Sequence, residues 1–191
     1  MCRSLGSACT RLHSMLIRQE TDADMAAIDA VHGAAFGALT PDVDQAEGDL
    51  VRALRSDPGW IRALSLVAER SGDGAGDPQI IGHVVCSLGS IGDVEALGLG
   101  PLGVLPEYQR GAVGSALMHA VLAAAEAHDY PVVVLLGNPD YYPRFGFVPA
   151  ADVGISPTDP TWQTAFQARL LRGWRPFMAG EFRYAAPFYD L

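Results

Sequence analysis

The chain has 191 residues, with 13 basic side chains against 22 acidic ones, a formal net charge of −9, and 49% hydrophobic residues. A chain of this length buries enough surface to form a core without disulfides or a structural metal, which excludes a miniature stapled scaffold. All the basic residues are arginine, with no lysine and 28 alanines, a bias read as the mark of a GC-rich genome. An acidic chain with no run of arginines lacks the positive stripe that phosphate backbones require, so nucleic acid is not an expected partner.

Met1 to Ser14 lacks the apolar block of a signal peptide and reads as a disordered extension before a single domain over 15–191. No apolar run is long enough to span a membrane. Cys2, Cys9 and Cys86 have neither metal-ligand nor C-x-x-C spacing, and together with their odd number this fits a reducing cytoplasm. His83, His119 and His128 likewise show no metal spacing, so no metal is expected.

The first strand is expected over Leu16 to Glu20. Thr21 and Asp24 form a capping-box-like start for a helix carrying Met25, Ile28, Val31, His32 and Phe36. After a turn at Thr40-Pro41, the acidic residues Asp42, Asp44, Glu47 and Asp49 complement the dipole of a second helix with Leu50, Val51 and Leu54, stopped by Asp57-Pro58-Gly59. Strands follow over Leu64 to Glu69 and Gln79 to Ser87, joined by a Gly/Asp/Pro hairpin loop over Ser71 to Pro78. A further strand spans Leu97 to Leu105, and Ala112 to His128 forms the longest helix, with Val113, Leu117, Ala120, Val121, Ala124 and Ala125 on one stripe. Pro131 to Leu136 reads as a strand covered on both faces. Shorter strands are expected from Phe145 to Val148, Phe166 to Leu171 and Glu181 to Ala185. The order fits one α+β domain with a mixed sheet.

Gly98, Gly100 and Gly103 spell the dinucleotide pattern G-x-G-x-x-G, but Pro101 interrupts it and the chain continues as strand, so no Rossmann site is expected. The informative stretch is Pro106-Glu107-Tyr108-Gln109-Arg110-Gly111-Ala112-Val113-Gly114-Ser115, where a strand gives way to the long helix. The first amides of a helix lack intrahelical partners and carry the positive dipole end. Small residues such as Gly111, Ala112, Gly114 and Ser115 let a diphosphate approach them, and Arg110 adds a positive charge. A plain strand-to-helix connection is the alternative reading of the same residues.

This string resembles the acyl-coenzyme A loop of the GCN5-related N-acetyltransferase (GNAT) superfamily, with Gln109 at its first position, Gly114 at its last, and Ala112 where the family usually has glycine. If that position needs positive φ, alanine costs about 1 kcal/mol, unless Gly111 supplies the freedom. Leu99 to Pro106 is similar to the family's fourth strand, and Val132 to Asn138 to its fifth. Asp140-Tyr141-Tyr142-Pro143-Arg144-Phe145-Gly146-Phe147 is similar to its Y-x-x-x-G-F ending, and L-G-P-L-x-V-L-P-E-Y-Q followed by P-x-Y-Y-x-R-F-G-F is similar to the YhbS-like predicted acetyltransferases.

The resemblance implies a GNAT fold, with a mixed, mostly antiparallel sheet flanked by helices and strands four and five splayed. It implies acetyl-CoA as co-substrate, bound by Leu102, Val104, Gln109, Arg110, Gly111, Ala112, Val113, Gly114, Ser115, Asn138 and Tyr142. Asn138 would offer its amide to the pantetheine arm, with a helix cap before Pro139 as its other role. The Val104 amide in a bulged fourth strand, with Gly103 suited to the bulge, would hold the oxyanion. Tyr142 would protonate the leaving thiolate. Glu95, with Asp93 behind it, is the candidate base, and a solvated carboxylate is the alternative for either. Cys86 reads as core.

The acceptor would be a small-molecule or peptide primary amine attacking directly in a ternary complex. The resemblance puts the acceptor cleft between Ala34 to Trp60 and Trp162 to Leu191, where Trp60, Trp162, Trp174 and Tyr184 are candidate lining residues or buried aromatics. A non-catalytic acyl-CoA-binding module of the same fold is the alternative function. Oligomeric state stays open, dimers being common among soluble enzymes.

Overall fold

The computed structural model describes residues 15–37, 46–71 and 78–190. The expected N-terminal extension, the Thr40-Pro41 turn, Asp42, Asp44 and residues 72–77 of the hairpin loop lie outside these. The described elements are β1 (Met15–Gln19), α1 (Met25–Phe36), α2 (Ala46–Ser56), β2 (Trp60–Arg70), β3 (Gln79–Ile91), β4 (Val94–Val104), α3 (Val113–Ala127), β5 (Val132–Leu136), β6 (Val148–Pro149), β7 (Ile155–Pro157), β8 (Phe166–Leu170) and β9 (Gly180–Arg183).

One sheet runs in the order β1-β2-β3-β4-β5-β8-β6, with β9 pairing both β3 and β7. Its pairs are antiparallel except β4/β5 and β7/β9. A parallel neighbour needs a crossover, and α3 supplies the one between β4 and β5. The two strands pair only at Leu97 with Val133 and Gly98 with Val134. Beyond that point β4 runs on to Val104 and β5 to Leu136 without meeting, so the sheet opens at its middle, as the family resemblance implies.

The alternation of side chains along the strands sorts two cores. Leu64, Leu66, Val84, Cys86, Leu97 and Leu99 face the stripe Val113, Leu117, Val121 and Ala125 of α3. Val67 and Val85 face Ile28 of α1 and Leu50, Val51 and Leu54 of α2. Phe166, Phe182 and Tyr184 close a third cluster over Ala96, Val132 and Val134.

Three local expectations differ from the structure. Tyr142–Phe145 is a 3₁₀ turn and the strand begins only at Val148, because Pro143 and the left-handed Gly146 break extension there. The short strand β7 has no alternating pattern in the sequence. The irregularity in β4 falls where Val84 to Cys86 of β3 opposes Leu99 to Leu102, so it takes in Gly100-Pro101 and not Gly103. The Gly100-Pro101 bond is cis. Gly103 is needed for close approach instead, since a Cβ there would lie 2.8 Å from Nδ1 of His32.

That histidine ends a buried polar chain between the sheet and α1. Arg55 donates to Glu20 at 2.8 Å and the Ser65 hydroxyl donates to the same carboxylate at 2.7 Å. His83 Nε2 lies 2.9 Å from Ser65 Oγ and 3.2 Å from Glu20 Oε2, so this nitrogen carries the proton and donates. His83 Nδ1 then accepts from His32 Nε2 at 2.8 Å, which leaves His32 Nδ1 as a buried acceptor without a partner. Burial is the main cause that lowers the His32 pKa to about 3, and it lowers that of His83 too. Burial alone would raise the Glu20 pKa, but the hydrogen bonds from His83, Arg55 and Ser65 outweigh it and bring it down to about 2.

Candidate active site

The opened end of the sheet meets the N-terminus of α3. In the loop that joins β4 to α3, Arg110 (φ 61°) and Ala112 (φ 65°) are left-handed, while Gly111 between them is not. The expectation that Gly111 supplies the conformational freedom is therefore corrected. Alanine itself takes the left-handed turn, at a cost of about 1 kcal/mol. Glycine is required at 111 for a different reason: a Cβ there would stand 3.0 Å from the Tyr108 carbonyl. Left-handed residues in such alternation aim successive amides into one concavity.

The first bond of the helix runs from the Ala116 amide to the Ala112 carbonyl at 2.9 Å, so the amides of Val113, Gly114 and Ser115 precede the hydrogen-bonded ladder. The Val113 side chain is core, and its contribution at this corner is its amide. Gly114 faces the Tyr141 hydroxyl, which a Cβ would approach to 3.2 Å. The Gln109 side-chain amide donates to the Val104 carbonyl at 3.0 Å and ties the loop to the end of β4. Leu105, by contrast, donates to Ile81 of β3 at 3.0 Å. In an antiparallel pair, neighbouring residues point their amides to opposite sides, so the Val104 amide faces the gap toward β5.

These groups surround a cleft of about 570 Å³ lined by Leu102, Val104, Gln109, Arg110, Gly114, Asn138, Tyr141 and Tyr142, with Ala35 and Phe36 of α1 at its side. Asn138 Oδ1 accepts from the Asp140 amide at 2.9 Å in an Asx turn, which leaves its side-chain NH₂ directed to the cleft lining. The helix cap expected of Asn138 is replaced by this turn, since the residue that caps Tyr142–Phe145 is Tyr141.

Tyr142 sits where β5 leaves the sheet, and a Cβ on Gly137 would run into its ring. Its ring packs edge-on to Tyr141 at 5.0 Å and against Phe147 at 5.8 Å. Burial, and secondarily Tyr141, pushes its hydroxyl up to about 12, so it is protonated at neutral pH.

Glu95 is not brought to this group. It is exposed at the beginning of β4, opposite Ser90, and adds to the upward shift of Tyr130 at the far end of the sheet. Gly100, the level at which β5 ends, lies five residues further along, roughly 17 Å at the rise of an extended strand. Asp93 is more distant still, in the turn before β4. The structure thus leaves Glu95 at the start of β4, apart from the cleft lined by Val104 and Tyr142. Cys86 is buried, and its thiol is raised by desolvation, which makes it an unreactive core residue. Among the described residues no group of His, Cys, Asp or Glu could hold a metal ion.

The Glu20-Ser65-His83-His32 chain is not legible in the sequence. Its one visible signal was His32 on the apolar stripe of the first helix.

Comparison with known proteins agrees with this geometry. A family model described as an acetyltransferase (GNAT) domain matches residues 63–149. The uncharacterized N-acetyltransferase YhbS of Escherichia coli K12 is 35% identical over 159 residues, spanning 82% of this chain and 87% of that protein. A crystal structure of a GNAT family acetyltransferase from Brucella melitensis, in complex with acetyl-CoA, is 35% identical with a TM-score of 0.73, covering 93% of this chain and 99% of the other. That of Escherichia coli YhbS in complex with CoA is 30% identical with a TM-score of 0.78, covering 93% of each chain.

Proposed function

The chain belongs to the GNAT family of acetyltransferases and is an acetyl-CoA-dependent enzyme, and from that premise we propose that it acetylates a primary amine of a small molecule or peptide by direct attack in a ternary complex. The observation that carries this reading is the coincidence of three features at one cleft: Gly114 among the helix-start amides that precede the hydrogen-bonded ladder of α3, a strand amide facing the gap at Val104, and a protonated tyrosine at the exit of β5.

Bound acetyl-CoA supplies a thioester carbonyl that a neutral amine can attack. The amides of Val113, Gly114 and Ser115, with Arg110, hold its diphosphate, and this local positive field offsets a chain whose formal charge is −9. Asn138 donates its NH₂ to the pantetheine arm. The Val104 amide faces the oxygen that gains negative charge as the nitrogen–carbon bond forms. As the carbon–sulfur bond breaks, Tyr142 gives its proton to sulfur, and the same dry surroundings that raise the phenol also raise the proton affinity of the thiolate. The ammonium of the free acceptor loses one proton to water before attack, the attacking nitrogen loses a second to water as the tetrahedral adduct collapses to the amide, and the phenoxide is reprotonated from solvent.

Acetyl-CoA at a hundredfold excess over its Kd should stabilise the protein by about 2.7 kcal/mol, roughly 5–10 °C in a chain of this size. Arg110→Glu should cut that shift by more than half while leaving the melting temperature of the free protein within about 2 °C. Acetyl-CoA-dependent thiol release across a panel of amines completes the test. The non-catalytic reading predicts the shift without release.

A further inference from the structure

A second cleft, of about 710 Å³, opens beside the exit of β5 and is lined in part by Leu136, Asp159, Trp162, Tyr184, Phe188 and Tyr189. It adjoins the cofactor cleft through three consecutive residues: Leu136 lines this one, Asn138 lines the other, and Gly137 between them carries the Tyr142 ring. Tyr184 lies against Gly98, the last residue of β4 that pairs with β5, and Phe188 lies against Gly100, the first level at which the strands have parted.

The walls are built. Trp162 stacks on Tyr189 at 5.9 Å and 21°, and Tyr184 packs on Phe188 at 4.5 Å. The Tyr189 hydroxyl is fixed by the Tyr184 amide at 3.0 Å and lies 3.2 Å from Thr158 Oγ1. The Tyr184 hydroxyl is different: the residue is 7% exposed, and its oxygen is buried without a hydrogen-bond partner. A buried hydroxyl left unsatisfied among the described residues costs free energy, and a small shift of the ring would let a ligand in the cleft satisfy it. Asp159 supplies the charge. Its Oδ1 accepts from both the amide and the hydroxyl of Thr161 at 2.8 Å, which holds the carboxylate ionised and leaves Oδ2 free.

Four aromatic rings, one carboxylate and one unsatisfied hydroxyl select against polyhydroxylated or anionic acceptors, which would leave polar groups unpaired on apolar walls. We infer that this cleft is the acceptor site and that its occupant is a primary amine carried on a flat, apolar body, an arylalkylamine. Trp162 and Phe188 hold the ring, Asp159 draws the ammonium to the mouth, and Tyr184 is a positioning residue that orients the amine toward the gap. The inference rests on the acetyltransferase reading above.

The test is acetyl-CoA-dependent thiol release by the full chain with phenethylamine and tryptamine, against glucosamine, spermidine and glutamate, together with calorimetric titration of phenethylamine into the CoA-bound protein. The arylalkylamines should exceed the others in kcat/KM by at least tenfold. Trp162→Ala should raise their KM about tenfold with kcat nearly unchanged, and Tyr184→Phe should lower kcat about tenfold with KM nearly unchanged. An undiminished acetyl-CoA thermal shift establishes that each variant is folded. Preference for another amine class, an unchanged KM in Trp162→Ala, or no heat of binding for phenethylamine at millimolar concentration would overturn the acceptor assignment and leave the acetyltransferase reading standing. The loss of both the acetyl-CoA shift and all thiol release in the unaltered protein would overturn the two together.

Discussion

Tyr142→Phe should lower kcat by about 10²–10⁴, the range for removal of a general acid, equivalent to roughly 2.7–5.5 kcal/mol in the barrier. The melting temperature and the acetyl-CoA shift should stay unchanged, since the Tyr142 hydroxyl makes no hydrogen bond to the described residues and the ring, which packs on Gly137, Tyr141 and Phe147, is retained. Because the phenol titrates only at about 12, no fall in kcat between pH 7 and 10 should trace to it. Steady-state kinetics on the two proteins read this directly, and equal kcat values would remove Tyr142 from the acid role.

Acidification should unfold the protein through its buried histidines. In the unfolded chain His32 and His83 bind protons below about pH 6.5, whereas the folded state keeps His32 neutral down to about 3 and His83 is shifted the same way. The unfolded state therefore binds more protons, and stability falls as pH falls, by about 1.4 kcal/mol per pH unit for His32, with His83 adding in the same direction. Glu20 acts in the same direction lower down: its folded pKa of about 2 lies below its ordinary value, so the stability from its bonds to Arg55, Ser65 and His83 is lost between about pH 4.5 and 2. Urea midpoints at pH 7.5 and pH 5 should differ by an amount equivalent to roughly 2 kcal/mol from His32, with His83 adding to it. His32→Asn should flatten the dependence, and equal midpoints at the two pH values would show that the histidines are not neutral in the core.

The two results draw on parts of the molecule that differ in how far the sequence exposes them. The cofactor corner is a local motif, in which Gln109, Arg110, Gly114 and Tyr142 each take their place from the turn or helix terminus that neighbouring residues impose. Tyr142 reads out because proline at 143 and glycine at 146 fix the turn around it. The buried relay joins β1, β2, β3, α1 and α2, and no spacing in the chain announces a contact between residues on five elements. The distance of Glu95 from the gap is hidden for a related reason, since the register that sets it comes from pairing with β3 and β5. Gly111 and Ala112 show the limit of residue preference: the alanine takes the left-handed turn although the glycine beside it could do so at less cost, and the glycine serves the close approach to the Tyr108 carbonyl.

The central claim is that the first amides of α3 grip the diphosphate of acetyl-CoA. Titration of ¹⁵N-labelled protein with acetyl-CoA, followed by amide chemical shifts, tests it most directly. The largest changes should fall on Val113, Gly114 and Ser115, with Val104 changing in step. Saturable binding that leaves those four amides unmoved would contradict it.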